Sequence, residues 1–191
     1  MKQKRNAERS RGPGVDERQM PRVPITWADG NPICLSRSVP PLVRTVVREF
    51  GSRWTPGGRL IYVTDGAREW AHLDESLLSG LELAVETHRK MPDLVVYHKE
   101  KNRLFLIEAV TSHGPVDPKR RSELKKLFRG SKAGLVFVTA FLDRHTMTEY
   151  LGDISWETEV WVADAPTHLI HFNGERFLGP YEPFASSSST S

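Results

Sequence analysis

A single cysteine, Cys34, stands in the 191-residue chain. That excludes an internal disulfide and any cysteine-rich zinc site, and it fits a reducing cytosol. No stretch approaches the roughly 20 apolar residues of a membrane span, and the N-terminus has no apolar signal core, so the chain reads as soluble and cytoplasmic, with no membrane partner. Internal repeats are absent as well, which sets aside solenoids and arrays. Excess charge is missing where it would matter most. The net charge is +3, but residues 1–24 hold seven Lys/Arg against three acids, so the rest of the chain is close to −1. Contact between that part and a polyanion then depends on local clusters.

What is present suffices for one domain with a real core. Residues 1–24, charged and broken by Gly12, Pro13, Gly14, Pro21 and Pro24, bury too little to offset ordering and are expected to be a basic disordered lead-in. Residues 25–184 are expected to form the domain, and Ser-rich 185–191 a flexible tail. Val39, Leu42, Val43, Val46, Val47 and Phe50 form one stripe of a helix, with Ser38 as N-cap, Gly51 as stop and Glu49 at the stripe's edge. Arg59–Asp65 reads as a strand and Asp74–Ser79 as a short helix. Asp117 and Pro118 open a further helix, which turns Leu124, Leu127 and Phe128 inward and ends at Gly130. Leu135–Phe141 is apolar on both faces, as in a central strand. Trp156–Ala163 reads as another strand, and His168–Phe172 with Glu175–Leu178 as a hairpin turning at Asn173-Gly174. The fold class is α/β, a mixed sheet flanked by helices. His168 and His171 fall on opposite faces of a strand and make no metal pair; Trp156 and Trp161, also an odd number apart, read as packing on two faces of the sheet.

The chemistry is concentrated between Lys90 and Arg121. Two apolar runs, Asp93–His98 and Arg103–Thr111, flank Lys99-Glu100-Lys101-Asn102 and read as a β-hairpin. With His98 opposite Arg103, Asp93 falls opposite Glu108. Opposed residues have Cβ atoms roughly 5 Å apart. Two carboxylates there repel and lose hydration, so a shared proton, a cationic side chain or a divalent metal must compensate. Two hard oxygens and the Ala109 backbone carbonyl, with water completing the shell, suit Mg²⁺, which pairs naturally with phosphate oxygens. The alternative is that Asp93 caps the strand entry after Pro92 while Glu108 meets an arginine at the sheet end. Beyond Glu108, the helix start at Asp117 brings amide groups and Lys119, Arg120 and Arg121 within reach of a phosphate, and His113 lies in the intervening loop.

Pro92-Asp93, a short hairpin and Glu108-Ala109-Val110 resemble the PD-(D/E)XK nuclease signature, with Val110 where the lysine sits. The longer run PDLVVYHKEKNRLFLIEAVTSHGPVDPKR, then GLVFVTAF, ISWETEVWVADAP and THLIHFNGERFLGP, resembles the catalytic C-terminal region of BsuBI/PstI type II restriction endonucleases, from about Lys90 to Pro180. The resemblance implies a restriction-endonuclease-like core, a Mg²⁺ cofactor, and a homodimer cutting both strands of double-stranded DNA at CTGCAG. It implies Asp93 and Glu108 as catalytic metal ligands, with Glu49 as the acid that a preceding helix often adds. Lys119, or else Lys90, would replace the missing lysine. Family members also carry a sizeable N-terminal helical region, where here a short basic lead-in precedes the first helix. Two rivals remain: an inactive DNA-binding module of the same fold, and a metal-free hydrolase using the carboxylates as an acid/base pair.

Overall fold

The computed structural model describes residues 22–65, 70–81, 91–111 and 113–173. Two strands, β1 (Arg22–Thr26) and β2 (Pro32–Ser36), form a separate antiparallel hairpin. The others are β3 (Arg59–Thr64), β4 (Trp70–Leu73), β5 (Leu94–His98), β6 (Arg103–Ala109), β7 (Gly134–Phe141), β8 (Thr158–Val162) and β9 (Leu169–Phe172). They build one seven-stranded sheet in the order β4-β3-β5-β6-β7-β8-β9. At its centre β6 runs antiparallel to β5 and parallel to β7, so the sheet is mixed, as expected. The parallel step needs a crossover, and α4 (Pro118–Leu127) supplies it.

The turn between β5 and β6 sets the register. Asn102 adopts a left-handed φ of 45° and its amide closes on the Lys99 carbonyl at 3.0 Å, a conformation that asparagine tolerates better than most residues. His98 then faces Arg103 and Leu94 faces Ile107, the pairing read from the sequence. Because side chains alternate along a strand, Leu94, Val96, Phe105 and Ile107 share one face. There they join a core with Val43, Val47 and Phe50 from the preceding helix and Trp27 and Leu35 from the β1–β2 hairpin. Val95, Leu104 and Leu106 share the other face, packed with Leu124 and Phe128 of α4. Among the described residues, no helix is long and apolar enough to cross a membrane.

The first helical stretch departs from the pattern in two ways. It runs as α1 (Pro41–Thr45), a π turn (Val46–Phe50) and α2 (Gly51–Trp54) without interruption. The helix starts at Pro41, so the N-cap is Pro40, which has no side-chain oxygen to cap with, and the Ser38 hydroxyl bonds to that of Ser36 at 2.8 Å. Gly51 does not stop the helix. A Cβ there would lie 2.6 Å from the Trp27 ring, so glycine admits an indole that itself donates to the Gly58 carbonyl.

Other boundaries move for identifiable reasons. The ordered hairpin begins at Arg22, inside the expected lead-in, since β2 buries Ile33 and Leu35 and gives Arg22–Thr26 a partner. Strand β8 starts at Thr158, so Trp156 is not part of the sheet; it is 67% exposed and sits 6.1 Å from the Phe172 ring, whereas Trp161 is buried against Phe50. Strand β4 and the short α5 (Arg144–Glu149) carry too few periodic residues to be read from sequence. Residues 1–21, the expected strand Glu175–Leu178 with Gly174 of its turn, and the tail 185–191 lie outside the described residues.

Candidate active site at the open end of the central hairpin

Continuing the β5–β6 register one step beyond Leu94 and Ile107 brings Asp93 opposite Glu108, on the face shared with Val95 and Leu106. The ladder changes character here. Pro92 has no N–H to give the ladder, and the Ala109 amide donates to a side chain, Asp93 Oδ2, at 2.8 Å. Asp93 is also held by its backbone, its carbonyl accepting from Thr64 of β3 at 2.9 Å. Both carboxylates are therefore carried on paired strands.

Glu108 is 7% exposed. Its Oε1 receives Arg120 Nε at 2.8 Å and lies 2.6 Å from a terminal nitrogen of the same guanidinium, which also donates to the Met91 carbonyl at 3.1 Å. Arg120 reaches this position because Asp117 caps α4 as expected, its Oδ1 accepting from the Arg120 amide at 2.6 Å. Burial raises the Glu108 pKa to about 7, against the lowering effect of Arg120 and with the Asp93 charge adding to the rise. Burial also lifts Asp93, opposed by the Ala109 amide, His113 and Arg120.

The remaining candidates divide clearly. His113 is exposed in the loop after β6, close enough to act electrostatically on Asp93. Lys119 is exposed on the first turn of α4; the cation brought onto Glu108 is the next residue, Arg120. Arg121 is turned away, ion-paired with Glu157 and lying over the Phe137 ring at 5.4 Å. Glu49 pairs with Arg53 at 2.6 Å, on a helix whose core contacts lie on the opposite face of the sheet from Glu108. Val110, at the place of the signature lysine, is 7% exposed within an apolar cluster containing Phe141, Ile154 and Val160. Lys90 lies outside the described residues.

Two neighbours were not singled out from the sequence. Tyr62 is buried on β3, and burial raises its phenol, with Asp93, Asp65 and Glu108 all adding to the rise. Asp65, 7% exposed, ends the same segment. Their only signal is the strand RLIYVTD, and its adjacency to β5 is a matter of topology.

Among the described residues, no group of three or more His, Cys, Asp or Glu is arranged to hold a metal. The donor set is the opposed carboxylate pair, with Asp93 Oδ2 accepting from the Ala109 amide and Glu108 Oε1 from Arg120. The guanidinium on Glu108 shows that the pair already recruits positive charge. A divalent ion that keeps most of its water fits such a set; a thiolate-seeking metal does not.

A family model described as BsuBI/PstI restriction endonuclease domain matches residues 23–175. The chain is 55% identical over 167 residues to type II restriction enzyme BsuBI of Bacillus subtilis, spanning 87% of this chain and 53% of that protein. It is 30% identical over 144 residues to type II restriction enzyme AplI of Arthrospira platensis, spanning 72% and 44% respectively. The solved structure of SdaI restriction endonuclease superposes with a TM-score of 0.74 at 42% identity, over 85% of this chain and 52% of that one. The chain thus spans about half the length of the curated relatives it matches. On the extent of the family match and these identities, it belongs to the BsuBI/PstI restriction endonuclease family.

Proposed function

We propose that this chain is the catalytic part of a Mg²⁺-dependent type II restriction endonuclease that hydrolyses DNA phosphodiesters, cutting both strands at CTGCAG as a homodimer. The observation that carries the reading is the opposition of Asp93 and Glu108 at the open end of the hairpin, with basic groups of α4 beside them. Asp93 and Glu108 would hold the ion, with the Ala109 carbonyl as a third protein oxygen. The ion, when bound, supplies Lewis acidity toward the phosphate and lowers the pKa of attacking water.

The chain's own residues do the rest. The Ala109 amide fixes the Asp93 carboxylate, so that its orientation does not depend on the ligand. The apolar walls around Val95 and Leu106 keep bulk water from the inner side of the pair. Arg120, Lys119 and His113, at the start of α4 and the loop before it, face the phosphate, and no side chain acts as nucleophile. A two-fold dimer would match the symmetry of a palindromic site.

The inactive binding module is the second reading, and the apolar seat of Val110 favours it, since no lysine can act from that position. A plasmid with one CTGCAG site, incubated with Mg²⁺ or with EDTA, separates the two. Linear product that is lost with EDTA and in Asp93→Ala and Glu108→Ala supports the nuclease. Folded wild-type protein that binds the plasmid and leaves it intact at every Mg²⁺ concentration supports the module.

A further inference from the structure

Two arginines stand side by side on the first turn of α4, and they are held differently. Arg121 is wedged over the Phe137 ring and paired with Glu157. Arg120 is held at its tip by one oxygen of Glu108 and by the Met91 carbonyl, with Glu123 more distant at 3.6 Å. Its backbone is fixed by the Asp117 cap, so the guanidinium can leave Glu108 by side-chain rotation while the helix stays in place. The group it would leave behind is one that a divalent ion needs. A guanidinium and a dication on the same buried carboxylate repel each other across a short, poorly screened distance.

We propose that Arg120 is an exchangeable counterion: it neutralises Glu108 while no divalent cation is bound, and it passes to a DNA phosphate oxygen when a cation takes Glu108. The inference rests on the reading of Asp93 and Glu108 as cation ligands. The released guanidinium presents a planar fork suited to two phosphate oxygens, on the side of the molecule where Lys119 and His113 are exposed. Cation and DNA then bind cooperatively through one side chain. Linkage makes the effect reciprocal, so DNA must raise cation affinity by the same factor as the cation raises DNA affinity.

The test is calorimetric titration of Ca²⁺, a hard dication with the same preference for oxygen, at about pH 8.5, where carboxylates are ionised. It is run with and without a CTGCAG duplex. Wild type is expected to bind Ca²⁺ weakly alone and about tenfold or more tightly with the duplex, within the usual range of coupling. Arg120→Gln is expected to bind Ca²⁺ alone about tenfold more tightly than wild type, and the duplex to change that by less than about twofold. Arg120→Lys, which keeps the charge but loses the Nε donor to Glu108, should fall between and carries the test if the glutamine variant does not fold. Unchanged Ca²⁺ affinity in the Arg120 variants, with coupling to DNA intact, overturns the exchange. The cation site would still stand if Glu108→Gln abolishes binding. No Ca²⁺ binding by wild type, with or without DNA, overturns the cation site and the exchange together.

Discussion

The two faces of the central sheet are built from the same alternation and end differently. On the face toward α1 and α2, the layers beyond the His98–Arg103 pair are apolar, from Phe105 through Ile107 to Ala109, and the helix closes over them. On the face toward α4 the alternation is just as apolar through Leu104 and Leu106, and then the last pair is Asp93 and Glu108. The first face contributes burial alone; the second gives up one layer of it to hold two acids that burial raises in pKa. The paired acids stand at the end of one face, where the backbone ladder also runs out.

The sharpest way to break this contrast is to remove the acids. Asp93→Ala or Glu108→Ala should lower cleavage at saturating Mg²⁺ by about 10³-fold or more in gel-based rate assays, since losing the ion forfeits several kcal/mol of transition-state stabilisation. Asp93→Asn retains an acceptor for the Ala109 amide and should therefore lose activity while unfolding closer to wild type than the alanine variant. On the apolar face the effect moves from rate to stability. Ile107→Ala, at a fully buried position, should cost about 2–5 kcal/mol in denaturant unfolding. Gly51→Ala forces a methyl into the Trp27 ring and should cost about 1–3 kcal/mol, an overpacking penalty.

A smaller effect is carried by pH. Glu108 ionises near 4.5 when unfolded and at about 7 when folded. Between those values the folded state binds more protons, so the contribution of Glu108 to stability falls as pH rises and levels off above pH 7. The Tm of Glu108→Gln minus that of wild type should accordingly grow from about pH 4.5 to about pH 7; a flat difference would mean that Glu108 titrates normally. The smallest change is Glu49→Ala, which removes a partly exposed i,i+4 pair with Arg53 and should alter stability by about 0.5 kcal/mol. A tenfold loss of cation affinity in that variant would instead restore Glu49 to the ligand set.

The register of β5 and β6, the cap of α4 and the mixed sheet could be read from residues because each is encoded locally: a polar tetrapeptide between alternating runs, Asp before Pro, an apolar strand between helices. The sequence offers the arginine on Glu108 as one of two alternatives, because strand pairing fixes which acids oppose each other and leaves open which cation arrives. Tyr62 and Asp65 are not legible as neighbours of the pair, since nothing in RLIYVTD says that β3 lies beside β5. Gly51 looked like a helix stop because its steric partner, Trp27, is distant in sequence. The apolar pattern of the segment puts Trp156 in the sheet, whereas β8 begins two residues later, at Thr158.

The turn at Lys99–Asn102 touches neither carboxylate, yet it serves the site as a start codon serves a reading frame. Tyr97 and the carbonyl of Lys132 hold the Asn102 side chain, and the Gly134 amide holds its carbonyl. Substitutions there would loosen these ties. A single inserted residue would do something different in kind, exchanging the faces of everything downstream on β6, so that Glu108 would point toward α1 and α2 and Ile107 would stand opposite Asp93. The distance between the two carboxylates is thus written as the length of a loop at the far end of the strands, and that length admits no partial errors.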